Sequence, residues 1–180
     1  MRHIKIIKSI SLIIVLFLIT SCSNNSAMKP EDFKNKEPRL IIEEYLTGNV
    51  KAWGVLQNRS GKVTRQFSAD LNGSWDGNQL ILNEKFNWDD GEVQNREWTI
   101  NKIDENNYEG TAGDVVGKAI GYSYGPAFKF EYVLLVPVKG KEMKITFDDW
   151  IFKQDDRVAI NRATMTKFGI KVACLLYTSP

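Results

Sequence analysis

Histidine is almost missing from this chain: there is one, His3, among 180 residues. It lies in a segment that reads as a secretory signal, with a basic start (Arg2, Lys5, Lys8) and an unbroken apolar run from Leu12 to Ile19. The expected mature chain therefore has no histidine, which excludes a Ser-His-Asp triad, a Cys-His pair and every histidine-liganded metal site. Cysteine is nearly as scarce, with two in the whole sequence. If Cys22 carries lipid, Cys174 has no intramolecular partner, and the fold must hold by its core rather than by disulfides. No apolar run is long enough to span a bilayer either: the uncharged stretch from Ile10 to Cys22 falls short of the roughly 18 residues that a spanning helix needs. Excess charge is absent too. The signal holds three of the 24 basic residues and none of the 22 acidic ones, which leaves 21 against 22 and no basic footprint for nucleic acid.

What is present begins with Ile19-Thr20-Ser21-Cys22, which resembles the lipobox of bacterial lipoproteins, where the signal (residues 1–21) is removed before a cysteine that becomes the lipid anchor. Ser23 after that cysteine resembles the sorting signal for the outer membrane. The expected location is the outer membrane, with the protein facing the periplasm. Residues 22–39 are polar, with few apolar side chains, and read as a tether. Leu40 to Leu46 is expected to form one or two helical turns, ended by Gly48.

From Asn49 the pattern changes to alternating runs of about ten residues, separated by turn signals, as antiparallel strands require. The expected strands lie near 50–58, 62–75, 79–88, 92–103, 107–113, 127–138, 142–153 and 157–168. The turns fall at Ser60-Gly61, Asp76-Gly77, Asp90-Gly91, Asn106-Asn107, Lys139-Gly140 and Asp155-Asp156. In the second run Phe67, Ala69, Leu71 and Trp75 share one face, while Gln66, Ser68, Asp70, Asn72 and Ser74 share the other. About eight hairpin-linked strands leave two exposed edges unless the sheet closes on itself. The expected fold class is all-β, an antiparallel up-and-down barrel of about eight strands over residues 40–173, with a two-sheet sandwich as the alternative. An eight-stranded barrel is either filled by side chains or holds one small ligand.

One segment interrupts the meander: Gly110, Gly113, Gly117, Gly121 and Gly125. Glycine costs about 1 kcal/mol relative to alanine inside a helix, so a stable helix is rejected. Gly117-Lys118-Ala119 also lacks the spacing and the Ser or Thr of a phosphate loop. A bent strand or a flexible mouth over a cavity remain. Of the acidic pairs, Asp89-Asp90 and Asp155-Asp156 are turns. Asp148 and Asp149 are neighbours on one strand and point to opposite faces, so they are no catalytic dyad. One of them should face inward, with Arg96 and Arg162 as natural partners, because a lone buried carboxylate is costly.

Lys51-Ala52-Trp53-Gly54, Trp75-Asp76-Gly77, Asp90-Gly91-Glu92, Gly113-Asp114-Val115-Val116-Gly117, Phe147-Asp148-Asp149-Trp150 and Lys167-Phe168-Gly169 resemble, in order, the lipocalin-like lipoproteins of Gram-negative bacteria grouped as domain of unknown function 3833. The resemblance implies the barrel and the anchor but supplies no catalytic residue. By loose analogy with lipocalins proper, Trp53 and Arg162 would form a cation-π lock at the barrel base. Family members run on into a final strand, whereas residues 174–180, Cys174 to Pro180, resemble translated adapter sequence and are expected to be foreign. The expected function is binding of a lipid or fatty-acid-like amphiphile. Trp88, Trp98, Phe130 and Tyr132 would supply the wall, and Arg96, Asp148 and Arg162 would meet the headgroup. The alternative is an envelope structural or interaction lipoprotein without a small ligand. No enzymatic activity, cofactor or metal is expected, and the partners expected are the membrane and the ligand.

Overall fold

The computed structural model describes residues 27–138 and 140–179. The expected signal, the lipid-anchor Cys22, the start of the tether, Lys139 of the Lys139-Gly140 turn and Pro180 lie outside the described residues.

Ten antiparallel strands follow a short α-helix, α1 (Ile42–Tyr45): β1 (Gly48–Asn58), β2 (Val63–Trp75), β3 (Gln79–Trp88), β4 (Val93–Lys102), β5 (Asn107–Ala112), β6 (Ala119–Tyr124), β7 (Ala127–Val138), β8 (Lys141–Lys153), β9 (Ala159–Lys167) and β10 (Ile170–Ser179). Each pairs with its sequence neighbours, and β1 pairs with β10, so the sheet closes as a lipocalin-like up-and-down barrel. The turn acids do what their side chains suit them for. Asp76 accepts the amides of Asn78 and Gln79, Asp104 those of Asn106 and Asn107, and Asp155 those of Arg157 and Val158. Gly61, Gly77 and Gly91 take the positive φ that their turns demand. Along β2, Phe67, Ala69 and Leu71 are buried while Gln66, Asp70 and Asn72 are exposed. An apolar interior with a polar outside is the reverse of a membrane-spanning barrel.

Three expectations change. The strand count is ten, not eight, because the glycine-rich segment contains β6 and the chain's end forms β10. In β6 the small inward residues Ala119, Gly121 and Ser123 are buried beneath aromatic rings of β7. A Cβ on Gly121 would come within 3.0 Å of Phe128, and one on Gly110 within 2.5 Å of Phe130, so these glycines make room for rings. The expected domain end at 173 also moves: residues 174–179 complete β10, with Cys174 opposite Gln57 of β1 and Leu175 opposite Ala163 of β9. Without them β1 and β9 would both be open edges.

Within the expected tether, 22–39, residues from Pro30 onward are docked on the barrel. Pro30 is buried, and the Phe33 ring packs 6.0 Å from that of Trp150 and 5.6 Å from that of Phe152, on the outside of the barrel. Beyond it, Leu40, Ile42 and Leu46 insert into one barrel end. This plug is tied by Leu40 N–H to the Gly125 carbonyl (2.8 Å), by the Ser123 hydroxyl to the Leu40 carbonyl (3.0 Å) and by the Tyr45 hydroxyl to the Ser179 carbonyl (2.7 Å). Buried Glu43 accepts from Lys102 and from the Tyr108 hydroxyl, so the buried acid of the plug is satisfied, while Glu44 is exposed. The helical turns expected at Leu40–Leu46 are thus the stopper of the barrel.

Candidate functional site

The barrel encloses a cavity of about 230 Å³. Ile42 and Leu46 of the plug floor it. At the other end it reaches Leu56, Arg65, Glu92, Gln94, Val136 and Met165, beside the β1–β2, β3–β4, β7–β8 and β9–β10 turns. The wall is largely aromatic. Trp98 lies 5.1 Å from Phe130 and 5.2 Å from Tyr132, and Tyr132 stacks on Phe147 at 5.0 Å. Contacts of this kind contribute about 0.5–1.5 kcal/mol each beyond burial and leave a rigid, preformed wall. Nearer the mouth, Phe67 contacts Trp88 at 5.1 Å, and the Arg65 guanidinium lies 4.0 Å above the Trp88 ring. Arg65 is held there by Asp90 (2.7 Å) and Glu92 (2.8 Å).

A polar cluster interrupts this apolar interior. Glu84 of β3 is directly opposite Arg96 of β4, with a carboxylate oxygen 3.7 Å from Nη1. The same guanidinium grips Asp114 of the β5–β6 loop through Nη2 (2.8 Å) and Nε (3.1 and 3.2 Å). That loop is fixed in turn, because Val116 N–H donates to the Val133 carbonyl (2.8 Å) and Leu135 N–H to that of Asp114 (2.9 Å). Across the cavity, Asp149 of β8 accepts from the Tyr132 hydroxyl (3.0 Å) and from the Asn161 amide.

Burial sets the electrostatics. It pushes the Glu84 carboxyl up to about 7, against the pull of Arg96 and with a further push from Asp149. Burial likewise raises Asp149 to about 6, even though Asn161 and Tyr132 donate to it. For Arg96 burial opposes the charge, but Asp114 and Glu84 more than offset that and keep the guanidinium protonated. Among the described residues no group of three or more His, Cys, Asp or Glu side chains is arranged to hold a metal.

Of the expected ligand residues, Trp88, Arg96, Trp98, Phe130 and Tyr132 all line the cavity. Two do not. Asp148 points outward to Lys129 at 3.5 Å, and its neighbour Asp149 is the inward one. Arg162 is exposed on the outer face, where it is opposite Trp150 and Leu176 in register. The expected Trp53–Arg162 lock does not form either: Trp53 is 48% exposed on β1, and β10 lies between the two strands. The reason is parity. β9 buries Asn161 and Ala163 and shows Ile160 and Arg162 to the outside, so the apolar Ile160 marked the wrong face. Sequence reasoning missed Glu84, Asp114, Asn161 and Tyr177. For Asp114 the available signal was its position between Gly113 and the apolar pair Val115-Val116.

The family model described as "Protein of unknown function (DUF3833)" matches residues 16–178. No curated protein matches the chain. Solved structures of similar fold include a protein of unknown function from the DUF3598 family of Nostoc punctiforme, at 16% identity and a TM-score of 0.59, covering 80% of this chain and 50% of that one. Another is the S-type phycobiliprotein lyase of Guillardia theta, at 10% identity and a TM-score of 0.57, covering 76% of this chain and 88% of that one. At these identities the likeness is one of fold, and this chain spans half the length of the Nostoc protein.

Proposed function

The chain belongs to the DUF3833 family, and from that premise we propose that it is a membrane-anchored binding protein that holds a lipid-like amphiphile in its barrel. The observation that carries this reading is the cavity of about 230 Å³, walled by fixed aromatic rings, floored by the plug and open at one end. A preformed apolar cavity with a few convergent polar groups is the usual form of a small-molecule site. The interior carboxylates are engaged: Glu84 stands opposite Arg96, and Asp149 accepts from Tyr132 and Asn161.

The anchoring side of the proposal rests on the signal-like start and the lipobox resemblance at Cys22, with outer-membrane sorting suggested by Ser23. With residues from Pro30 onward docked on the barrel, seven residues, Ser23 to Lys29, separate the expected anchor Cys22 from the docked segment. The docked segment meets the plugged end, where the Phe33 and Lys36 carbonyls lie against Gly125. This geometry favours a mouth turned away from the anchoring membrane and open to the periplasm. The second reading, an envelope interaction protein, has one observation in its favour. Trp53, Ile160 and Leu176 are exposed at 48, 40 and 39% on the adjacent strands β1, β9 and β10, clustered around Thr178, which stands opposite both Trp53 and Ile160.

Titration with the neutral apolar dye N-phenyl-1-naphthylamine tests the binding reading. Saturable one-to-one fluorescence enhancement is expected, and it should be lost in Ala163→Trp, which fills the cavity from β9. Enhancement that never saturates, or that survives Ala163→Trp in a folded protein, would overturn it.

A further inference from the structure

The polar groups inside the cavity are unbalanced in sign. Two cations line it, and each is already committed to a pair of carboxylates: Arg65 to Asp90 and Glu92 at the mouth, and Arg96 to Asp114 and Glu84 within. The Arg96 fork is spent on Asp114 through Nη2 and Nε, which leaves Nη1 turned toward Glu84. An anionic headgroup would find only Nη1 of this guanidinium without a hydrogen bond, and there it would meet the Glu84 carboxyl at 3.7 Å, with Asp149 across the cavity. Nearer the mouth two donors, Arg65 Nε and Trp88 Nε1, have no partner, whereas beside Asp149 the unpartnered group is an acceptor. Asn161 is 2% exposed, its amide nitrogen is given to Asp149, and its carbonyl oxygen has no partner. A buried acceptor without a donor is costly, and this one belongs to a residue that lines the cavity. Glu84, with a side chain 10% exposed, has its nearest cation at 3.7 Å, beyond hydrogen-bonding distance.

We propose that the ligand of this cavity carries a hydrogen-bond-donating cationic head, an alkylammonium in chemical class, which meets Glu84, Asp149 and the free Asn161 carbonyl, while its tail lies along Trp98, Phe130 and Leu82. This rests on the reading that the cavity holds an amphiphile and replaces the fatty-acid head that the sequence suggested. An ammonium supplies a donor to the Asn161 carbonyl, which has none, and adds positive charge beside Glu84 and Asp149, where Arg96, shared with Asp114, is the nearby cation. The raised position of Glu84, near 7, fits the same picture, since a cation in contact would draw it down. The charged and titratable groups around that site are Arg96 of β4, Asp114 of the β5–β6 loop, Tyr132 of β7, Asp149 of β8 and Tyr177 of β10. Both tyrosines are shifted upward by burial and stay neutral.

The test uses the full chain held in a nonionic amphipol at pH 8, titrated with octylamine, octanol and octanoate and read by tryptophan fluorescence from Trp88 and Trp98. The expected order is octylamine at least tenfold tighter than octanol, with octanoate weakest. Glu84→Gln should lower octylamine affinity at least fivefold and leave octanol unchanged. If that variant fails to fold, Asp149→Asn carries the same test. Calorimetry in buffers of different ionisation enthalpy should show protons released when octylamine binds at pH 7. Octanoate binding as tightly as octylamine, or octanol doing so, would overturn the cationic head and leave the amphiphile reading standing. No binding of any of the three would overturn both.

Discussion

Replacing Glu84 by glutamine should make the barrel more stable at high pH than at low, relative to the parent protein. The reasoning starts from the carboxyl's position inside the barrel, where burial lifts it from 4.5 to about 7. Between those values the native state keeps a proton that the unfolded chain has released, so native stability falls as pH rises from 4.5 to 7 and the full loss is present above 7. At about 1.4 kcal/mol per unit the shift corresponds to roughly 3 kcal/mol, of which about 2 to 3 lies between pH 5 and pH 8. Glutamine keeps the shape and has no charge to bury, so the stability difference between Glu84→Gln and the parent should grow by that amount from pH 5 to pH 8. For a chain of this size the change corresponds to roughly 5 to 10 °C in melting temperature. Urea unfolding at both pH values, followed by tryptophan fluorescence, measures it. A constant offset between the two proteins would refute the reasoning. So would a glutamine variant that loses ground at pH 8, which would mean that Arg96 outweighs burial.

Other outcomes follow from single contacts. Asp114→Asn leaves Arg96 half-paired and, because Asp114 is 32% exposed, should cost about 1–3 kcal/mol in urea unfolding; it should also let octanoate bind more tightly than it does to the parent. Gly110→Ala drives a methyl group toward Phe130, 2.5 Å from the ring edge, and should cost about 1–3 kcal/mol by the same assay. Truncation after residue 173 opens the β1–β10 seam; size-exclusion chromatography should show aggregates and circular dichroism no cooperative melt. Cys22→Ala should move the protein from the membrane to the soluble fraction on ultracentrifugation, and continued sedimentation with membranes would contradict the lipid anchor.

Most of the barrel was legible because turns and alternation are local: Asp76, Asp90 and Asp155 announce hairpins whatever lies far away. The face of β4 was legible too, since Arg96 shares it with Trp98 and Ile100, both buried. What failed was parity where both faces of a strand are apolar. β8 has Ile145, Phe147 and Ile151 inside but also Trp150 and Phe152 outside, covered by Phe33 from a segment that read as a polar tether. No periodicity within β8 reveals that cover, so the sequence alone assigns to Asp148 the inward place that Asp149 holds. β6 was hidden by its glycines, which weaken strand propensity while making room for Phe128 and Phe130. β10 was hidden by its likeness to foreign sequence, although Leu175 and Tyr177 carry the inward face.

If this barrel is a container, it leaves the membrane with its contents. Native mass spectrometry of the protein isolated from its own membranes, with solvent extraction of what it releases, tests that most directly. A single bound species of defined mass is expected, present in the parent, absent from Ala163→Trp and weakened in Glu84→Gln. A clean ligand-free mass in the parent, unshifted by octylamine, octanol or octanoate, would contradict it.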